Sequence, residues 1–253
     1  MKVIAYTALH YGVEYLPWAL RSVQNAVDEI HILYSPKPSY GHGTDLPCPE
    51  TEGDLRIAAS KFIKKPLYWH TGDWNGEGNH RHAILEIAQK AKADLIVWVD
   101  ADEVWDHDSL LYCLNKAYQQ PAKEFRVKFI HFWKSFKWTC TDPCMPVRIV
   151  NPNGAGTEYI HQPLPVLHFG YALKPATVFY KQAIHGHKSE WKPGWFDKTY
   201  MGWKEGEEDV HPTCGRNERN EAFWIPRPTP PDVRVVLKEQ MYDHPYYGLD
   251  RIE

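Results

Sequence analysis

Asp100-Ala101-Asp102-Glu103 sets three carboxylates side by side directly after the apolar run Asp94 to Val99. Carboxylates this close repel one another unless a cation or hydrogen-bond donors neutralise them. A divalent ion of the Mg²⁺ or Mn²⁺ kind suits the task, because it takes hard oxygen ligands and keeps places for water or phosphate; one or two carboxylates beside a diphosphate suffice. Such an ion would neutralise the charge gathering on a departing nucleoside diphosphate, which stabilises the transition state more than the ground state. A D-x-D triplet alone is usually an acidic turn or a helix cap. Here it closes an apolar strand, follows earlier strand and helix units, and precedes Trp105 and a helix-start pattern at Asp106 to Leu111.

The elements that must position this cluster read as alternating strands and helices, the pattern of a mostly parallel sheet with covering helices. Lys2 to Leu9 reads as a strand, and Tyr15 to Val27 carries Leu16, Ala19, Leu20, Val23 and Val27 at helical spacing before Glu29 to Tyr34 returns to strand. Ser35 to Gly53, rich in Pro, Gly, Ser and Thr, reads as a loop long enough to suggest a role. A helix over Asp54 to Lys64, a strand over Pro66 to His70 and a helix over Asn79 to Ala93 then lead into the strand that ends at the carboxylates. In open α/β sheets ligands gather beyond the carboxyl ends of the strands, which is where the cluster falls.

Glycosyltransferase family 2 and similar GT-A enzymes are what the chain resembles. The likeness rests on Ala5-Tyr6-Thr7-Ala8 with Glu14, on Gly78-Asn79-His80-Arg81 opening a helix, and on Val97-Trp98-Val99-Asp100-Ala101-Asp102-Glu103. It covers roughly the first half; later, Leu167-His168-Phe169-Gly170-Tyr171 followed by Lys181 looks like the segment that closes the site in some members. The resemblance implies a GT-A α/β fold, with a mixed central sheet flanked by helices. It implies one domain, with a donor-binding half over 1–122 and an acceptor-binding half with a lid-like C-terminal region over 123–253. It implies a nucleotide-sugar donor, with a UDP-sugar favoured, held by Thr7, Leu9, Glu14, Asn79, Arg81, Asp100 and Ala101. Mn²⁺ or Mg²⁺ would sit on Asp102, with His168 completing the shell and His185 and His187 competing for that role. The reaction implied is metal-assisted transfer of a hexosyl or pentosyl group to a hydroxyl, with inversion.

The chain departs from the pattern in two places. Members often carry an acidic residue after the second strand to read the base, whereas this chain has Ser35-Pro36-Lys37-Pro38. Some similar enzymes use a His-Glu pair as catalytic base, but the nearest match is His161-Gln162, and Gln cannot accept the proton; Asp142, Glu208 and Asp209 are the carboxylates that could replace it.

In the second half, Glu124 to Trp138 alternates and is aromatic-rich, Pro146 to Val150 and Leu164 to Phe169 read as short strands, and Pro175 to His187 as a helix. Lys128, Lys134 and Lys137 interleave with Phe129, His131, Phe132, Trp133, Phe136 and Trp138. Lys188, Trp191, Lys192, Trp195, Lys198 and Trp203 repeat the theme. Aromatic and basic residues in this pattern stack sugars or bases and neutralise phosphates, or else pack on the sheet with lysine stems alongside. Trp133, Lys134, Trp138, Trp191 and Trp195 are therefore acceptor-contact positions for a glycan, a small molecule or a hydroxyl-bearing nucleic acid.

Composition narrows the classes further. A formal net charge of -3 gives no global pull toward nucleic acid or anionic membrane. Five cysteines, of which only Cys140 and Cys144 lie close together, argue against a disulfide framework and a zinc site. Trp74-Asn75-Gly76-Glu77-Gly78 lacks the glycine placement of a phosphate or dinucleotide loop. No apolar stretch reaches membrane-span length, so a soluble cytoplasmic protein without integral membrane contact is expected. Two other classes stay open, a metal-dependent nucleotidyltransferase and a non-catalytic carbohydrate- or nucleic-acid-binding module.

Overall fold

The computed structural model describes residues 1–38, 44–74, 76–186, 188–213 and 224–253. In chain order its elements begin β1 (Val3–Leu9), α1 (Leu16–Val23), β2 (Glu29–Tyr34), α2 (Glu52–Ser60), β3 (Leu67–Thr71), α3 (Glu77–Ala91), β4 (Leu95–Trp98), β5 (Glu103–Val104) and α4 (His107–Tyr118). There follow β6 (Glu124–Val127), β7 (Phe129–Trp133), β8 (Trp138–Thr141), β9 (Val147–Val150), β10 (Thr157–Ile160), β11 (Val166–Tyr171), α5 (Pro175–Ile184), β12 (Arg227–Pro228) and α6 (Pro231–Met241).

The chain divides into two compact units, and the division does not fall at residue 122. The first unit comprises the described residues of Met1–Gly41, Glu50–Lys128 and Met145–Val166; the second comprises those of His42–Pro49, Phe129–Cys144 and Leu167–Glu253.

The first unit is built on a mixed seven-stranded sheet in the order β10-β6-β9-β4-β1-β2-β3. β1 runs parallel to both β2 and β4, and β2 parallel to β3. β9 then reverses direction, pairing antiparallel with β4 on one side and β6 on the other. β1 and β4 lie in the middle and, Thr7 apart, are apolar, as strands buried on both faces tend to be. On one face Ile84 and Ala88 of α3 pack against Ile4, Tyr6, Leu33, Ile96, Trp98 and Val150. α4 packs against β4 and β9, and α1 against α2 and α4.

Helix boundaries follow from capping chemistry. α2 begins at Glu52 rather than Asp54, because Thr51 and Asp54 form a reciprocal capping box: the Asp54 amide donates to Thr51 Oγ1 at 3.2 Å and the Thr51 amide to Asp54 Oδ2 at 3.0 Å. α4 starts where Asp106 Oδ1 accepts the Ser109 amide at 2.8 Å. α3 stops at Lys92, whose left-handed φ of 52° turns the chain into β4.

In the second unit β8 pairs antiparallel with β7 and with β12. Its interior is aromatic: Trp133, Trp195 and Tyr200 are all at most 1% exposed, and Trp133 meets Trp195 and Tyr200 edge to face at 6.0 and 5.6 Å. Residues 190–231, expected to be irregular, contain a π-helical turn over Phe196–Met201 that places Tyr200 in this core, where its hydroxyl donates to the Leu173 carbonyl at 2.6 Å. Among the described residues no helix is long and apolar enough to cross a membrane.

Candidate functional site

β4 delivers the acidic cluster to the carboxyl end of the sheet of the first unit. The Val99 amide still donates to the Tyr6 carbonyl at 2.9 Å, and the chain then turns, with the Glu103 amide on the Asp100 carbonyl at 3.1 Å. Glu103 folds back into the turn: its carboxylate, wholly buried, accepts the Asp100 amide at 3.2 Å. Two of the three carboxylates are thereby turned to one another, and the charge that holds them comes from β9.

That charge is Arg148. Its Nε donates to both Glu103 oxygens, at 3.0 and 2.8 Å, and its Nη2 to Asp100 Oδ2 at 2.7 Å and to Glu103 Oε1. Burial pushes the Glu103 carboxyl up to about 8 against the opposing pull of Arg148, and Asp100 adds to the rise. Burial also works against the guanidinium charge, but Glu103 and Asp100 hold Arg148 above its ordinary value. A planar fork with donors on one edge suits this two-carboxylate task where an ammonium would not. Asp102 stands at the outer position of the turn, partly exposed.

The loop after β1 is fitted to the same turn. Gly12 has φ of +138°, and a Cβ on it would lie 2.5 Å from Ala101 Cβ, so this position demands glycine on two counts. Glu50 pins the loop: its Oε2 accepts the Gly12 amide at 2.6 Å and the Val13 amide at 3.0 Å. Burial raises the Glu50 carboxyl above its ordinary value, and the two amide donors oppose that rise. Nearby in sequence, His10 Nδ1 lies 2.9 Å from the Ser35 carbonyl, which fixes it as the protonated nitrogen, and the Ser35 amide donates to the Leu9 carbonyl at 2.8 Å. The Ser35 segment after β2 is thus tied back to the end of β1.

The remaining residues expected on the donor side fall as follows. Thr7 and Leu9 have buried side chains, Glu14 is partly exposed, and Asn79 is exposed on the first turn of α3. Arg81 lies with its guanidinium 4.5 Å over the Trp98 ring, at the end of β4. Lys37 pairs with Asp73 at 3.2 Å on the surface.

In the second unit a different cluster forms. His168 Nδ1 lies 2.6 Å from His131 Nδ1, His131 Nε2 lies 3.8 Å from Asp142, and the Trp224 indole donates to Asp142 Oδ2 at 2.9 Å. The His211 ring meets Trp224 at 4.6 Å. Burial lowers His131 well below the usual imidazole value, with His168 adding to the effect, and burial lowers His211 to about 4. Asp209, with a left-handed φ of 59°, pairs with Lys192 at 3.0 Å, and Glu208 pairs with Arg227 at 3.4 Å, exposed. His185 stacks edge-on to Trp191, and His187 lies outside the described residues.

Of the positions expected to contact an acceptor, Trp133, Lys134, Trp191 and Trp195 are buried and Trp138 is partly exposed. Lys134 is 1% exposed, with its Nζ 3.8 Å over the Tyr200 ring; burial lowers it to about 8. Gln162, beside His161, is no base but a backbone clamp, accepting the Lys128 amide and donating to the Lys128 carbonyl. Cys140 and Cys144 are free thiols, and among the described residues no three His, Cys, Asp or Glu side chains are grouped to hold a metal ion.

Arg148 and Glu50 escape the sequence reading because each acts at long range, and neither lies in a motif. A lone arginine inside the apolar strand Val147–Val150 is the one signal that points to a buried partner.

Solved structures that align with this chain include nucleotide-sugar enzymes. The mannosyltransferase PcManGT of Pyrobaculum calidifontis, in complex with GDP-Man and Mn2+, is 14% identical over 51% of this chain and 35% of its own, with a TM-score of 0.38. S. aureus TarS 1-349 in complex with UDP is 13% identical over 73% of this chain and 64% of its own, with a TM-score of 0.46. A 4-diphosphocytidyl-2C-methyl-D-erythritol synthase of Anaerococcus prevotii is 10% identical over 70% of this chain, with a TM-score of 0.44. The chain thus spans about a third to under two thirds of the length of the first two. No protein-family profile and no curated protein sequence matches the chain.

Proposed function

We propose that the chain is a glycosyltransferase that moves a sugar from a nucleotide-diphosphate donor to an acceptor hydroxyl. One observation carries this reading. A carboxylate turn closes the central strand of a mixed sheet, at its carboxyl end, with two carboxylates organised by Arg148 and the β1 loop packed on Ala101. A purely structural acidic turn has no reason to gather a wholly buried glutamate and a largely buried arginine behind a partly exposed aspartate.

A divalent ion fits these residues. Asp102 offers the hard oxygen that Mn²⁺ or Mg²⁺ takes, and the remaining places suit diphosphate oxygens and water. When bound, the ion would supply charge neutralisation of the leaving diphosphate. Asp100, steered by Arg148, would orient the donor sugar or ribose, and Arg81 over Trp98 would meet the phosphates. A UDP-sugar is the favoured donor, and inversion the favoured outcome. Inversion needs a base that takes the acceptor's proton; of Asp142, Glu208 and Asp209, Asp142 is the best supported, since Trp224 fixes its carboxylate and its neighbour His131 is held neutral. The acceptor is a glycan or a small molecule.

Thermal stability measured against nucleoside diphosphates, nucleotide sugars and nucleoside triphosphates, each with and without Mn²⁺, tests the proposal, because a ligand of the folded state raises the midpoint. Metal-dependent stabilisation by a diphosphate or its sugar, abolished by Asp102→Asn, is expected. Stabilisation by triphosphates alone would instead favour nucleotidyl transfer, and no response at all would sink both.

A further inference from the structure

The partly buried carboxylate of Glu50 uses only half of its accepting capacity toward the described residues. Oε2 takes both the Gly12 and Val13 amides, while Oε1 makes no hydrogen bond to the described residues. The two amides belong to the loop that leaves the carboxyl end of β1, and the same Gly12 abuts Ala101 of the acidic turn. A carboxylate anchored through one oxygen has its other oxygen at a fixed place, so it acts as an oriented acceptor and not as a mobile surface charge. The Ser35 to Lys37 segment supplies no carboxylate of its own, since Ser35 Oγ is spent on the Lys37 carbonyl at 2.6 Å and Lys37 on Asp73.

We infer that Glu50 reads the nucleobase of the donor, selecting a base with a ring N–H, uracil or guanine, over cytosine and adenine. This rests on the proposed transferase reading. Uracil N3 and guanine N1 each present a hydrogen to an acceptor, whereas cytosine N3 and adenine N1 present a lone pair that a carboxylate repels. The discrimination is of the strong kind, because the wrong base leaves a partly buried acceptor facing another acceptor.

The test uses the intact protein with Mn²⁺ and measures Kd for UDP, GDP, CDP and ADP by calorimetry, for the native chain and for Glu50→Gln. Gln keeps an oxygen for the two amides and offers an amide N–H where the reading oxygen stood. The native protein is expected to prefer UDP or GDP by about 10- to 100-fold, the worth of one hydrogen bond to a charged group. Glu50→Gln is expected to erase that ranking. A second arm leaves the protein untouched: the N-methylated base, 3-methyluridine or 1-methylguanosine diphosphate, should lose the same factor against the native chain. An unchanged ranking in Glu50→Gln, or equal affinity for the methylated base, overturns the role of Glu50 while leaving the transferase reading standing. Failure of every diphosphate to bind the native chain overturns both.

Discussion

Removing the Arg148 guanidinium should cost more than any other single truncation on the sheet. Arg148→Met keeps the length and apolar bulk of the side chain but leaves Glu103, wholly buried, facing Asp100 without a counter-charge. Breaking one partner of a buried ion pair typically costs about 3–5 kcal/mol. At about 2–4 °C per kcal/mol for a chain of this size, the midpoint should fall by about 6–20 °C. The loss should also depend on pH in a fixed sense. Glu103 is already pushed up to about 8 with Arg148 present, and without it the carboxyl is held still higher. A carboxyl whose folded pKa is raised stabilises below its unfolded value, near pH 4.5, and that contribution is lost as pH rises toward and through the folded value. Native chain and variant lose that contribution in parallel up to about pH 8, so the cost of Arg148→Met should hold steady from pH 5 to about pH 8 and be greater at pH 8.5. The assay is urea unfolding at both pH values, for the single variant and for Arg148→Met with Glu103→Leu. Replacing the whole pair by apolar residues should recover most of the loss. A single variant within about 1 kcal/mol of native at pH 8.5, or a double variant whose losses simply add, would refute the claim that the guanidinium holds this turn together.

Three further outcomes follow from the same structure. Gly12→Ala should lose about 1–3 kcal/mol by urea unfolding, because φ of +138° is closed to alanine and its Cβ would meet Ala101; native-like stability would mean the loop is placed otherwise. Lys134→Met should raise the midpoint at pH 7 by roughly 2 kcal/mol in equivalent stability, since a lysine lowered to about 8 stabilises only above its unfolded value and costs most once charged; the gain should shrink as pH rises past 8, and a loss at pH 7 would show that the Tyr200 ring more than compensates the charge. His211, lowered to about 4, and His131, also lowered by burial, stabilise above about pH 6.5 and lose that contribution as pH falls. The midpoint should accordingly drop between pH 6.5 and 4, and His211→Gln should flatten part of that fall.

The sheet and the acidic turn were legible in sequence because their signals are local. The apolar run Leu95–Trp98 and the carboxylates after it declare strand and turn within nine residues, and the helical stripe of Ile84 and Ala88 falls on the face that packs. What was illegible is what distance supplies. Arg148 meets Glu103 across 45 residues of sequence, and Glu50 meets Gly12 across 38, from within a Pro- and Gly-rich stretch that reads only as connection. The aromatic and basic stretches misled in a different way: Trp133 and Trp195 carry the same residue type whether they stack a ligand or fill a core, and here they fill one. α6 went unseen although Val233, Val236, Leu237 and Met241 form its buried stripe, since charges and prolines crowd its start.

β9 returns to pair with β4 only after the second unit's first hairpin has been made. During synthesis, therefore, the central strand waits as an unprotected edge until residue 150 emerges, with Leu95, Ile96, Val97 and Trp98 offered to any passing strand. A fragment ending at residue 122 would be left in that condition for good. The shortest piece able to complete its own sheet must run through β10, which makes the first unit inseparable, as an expressible entity, from the sequence that interrupts it.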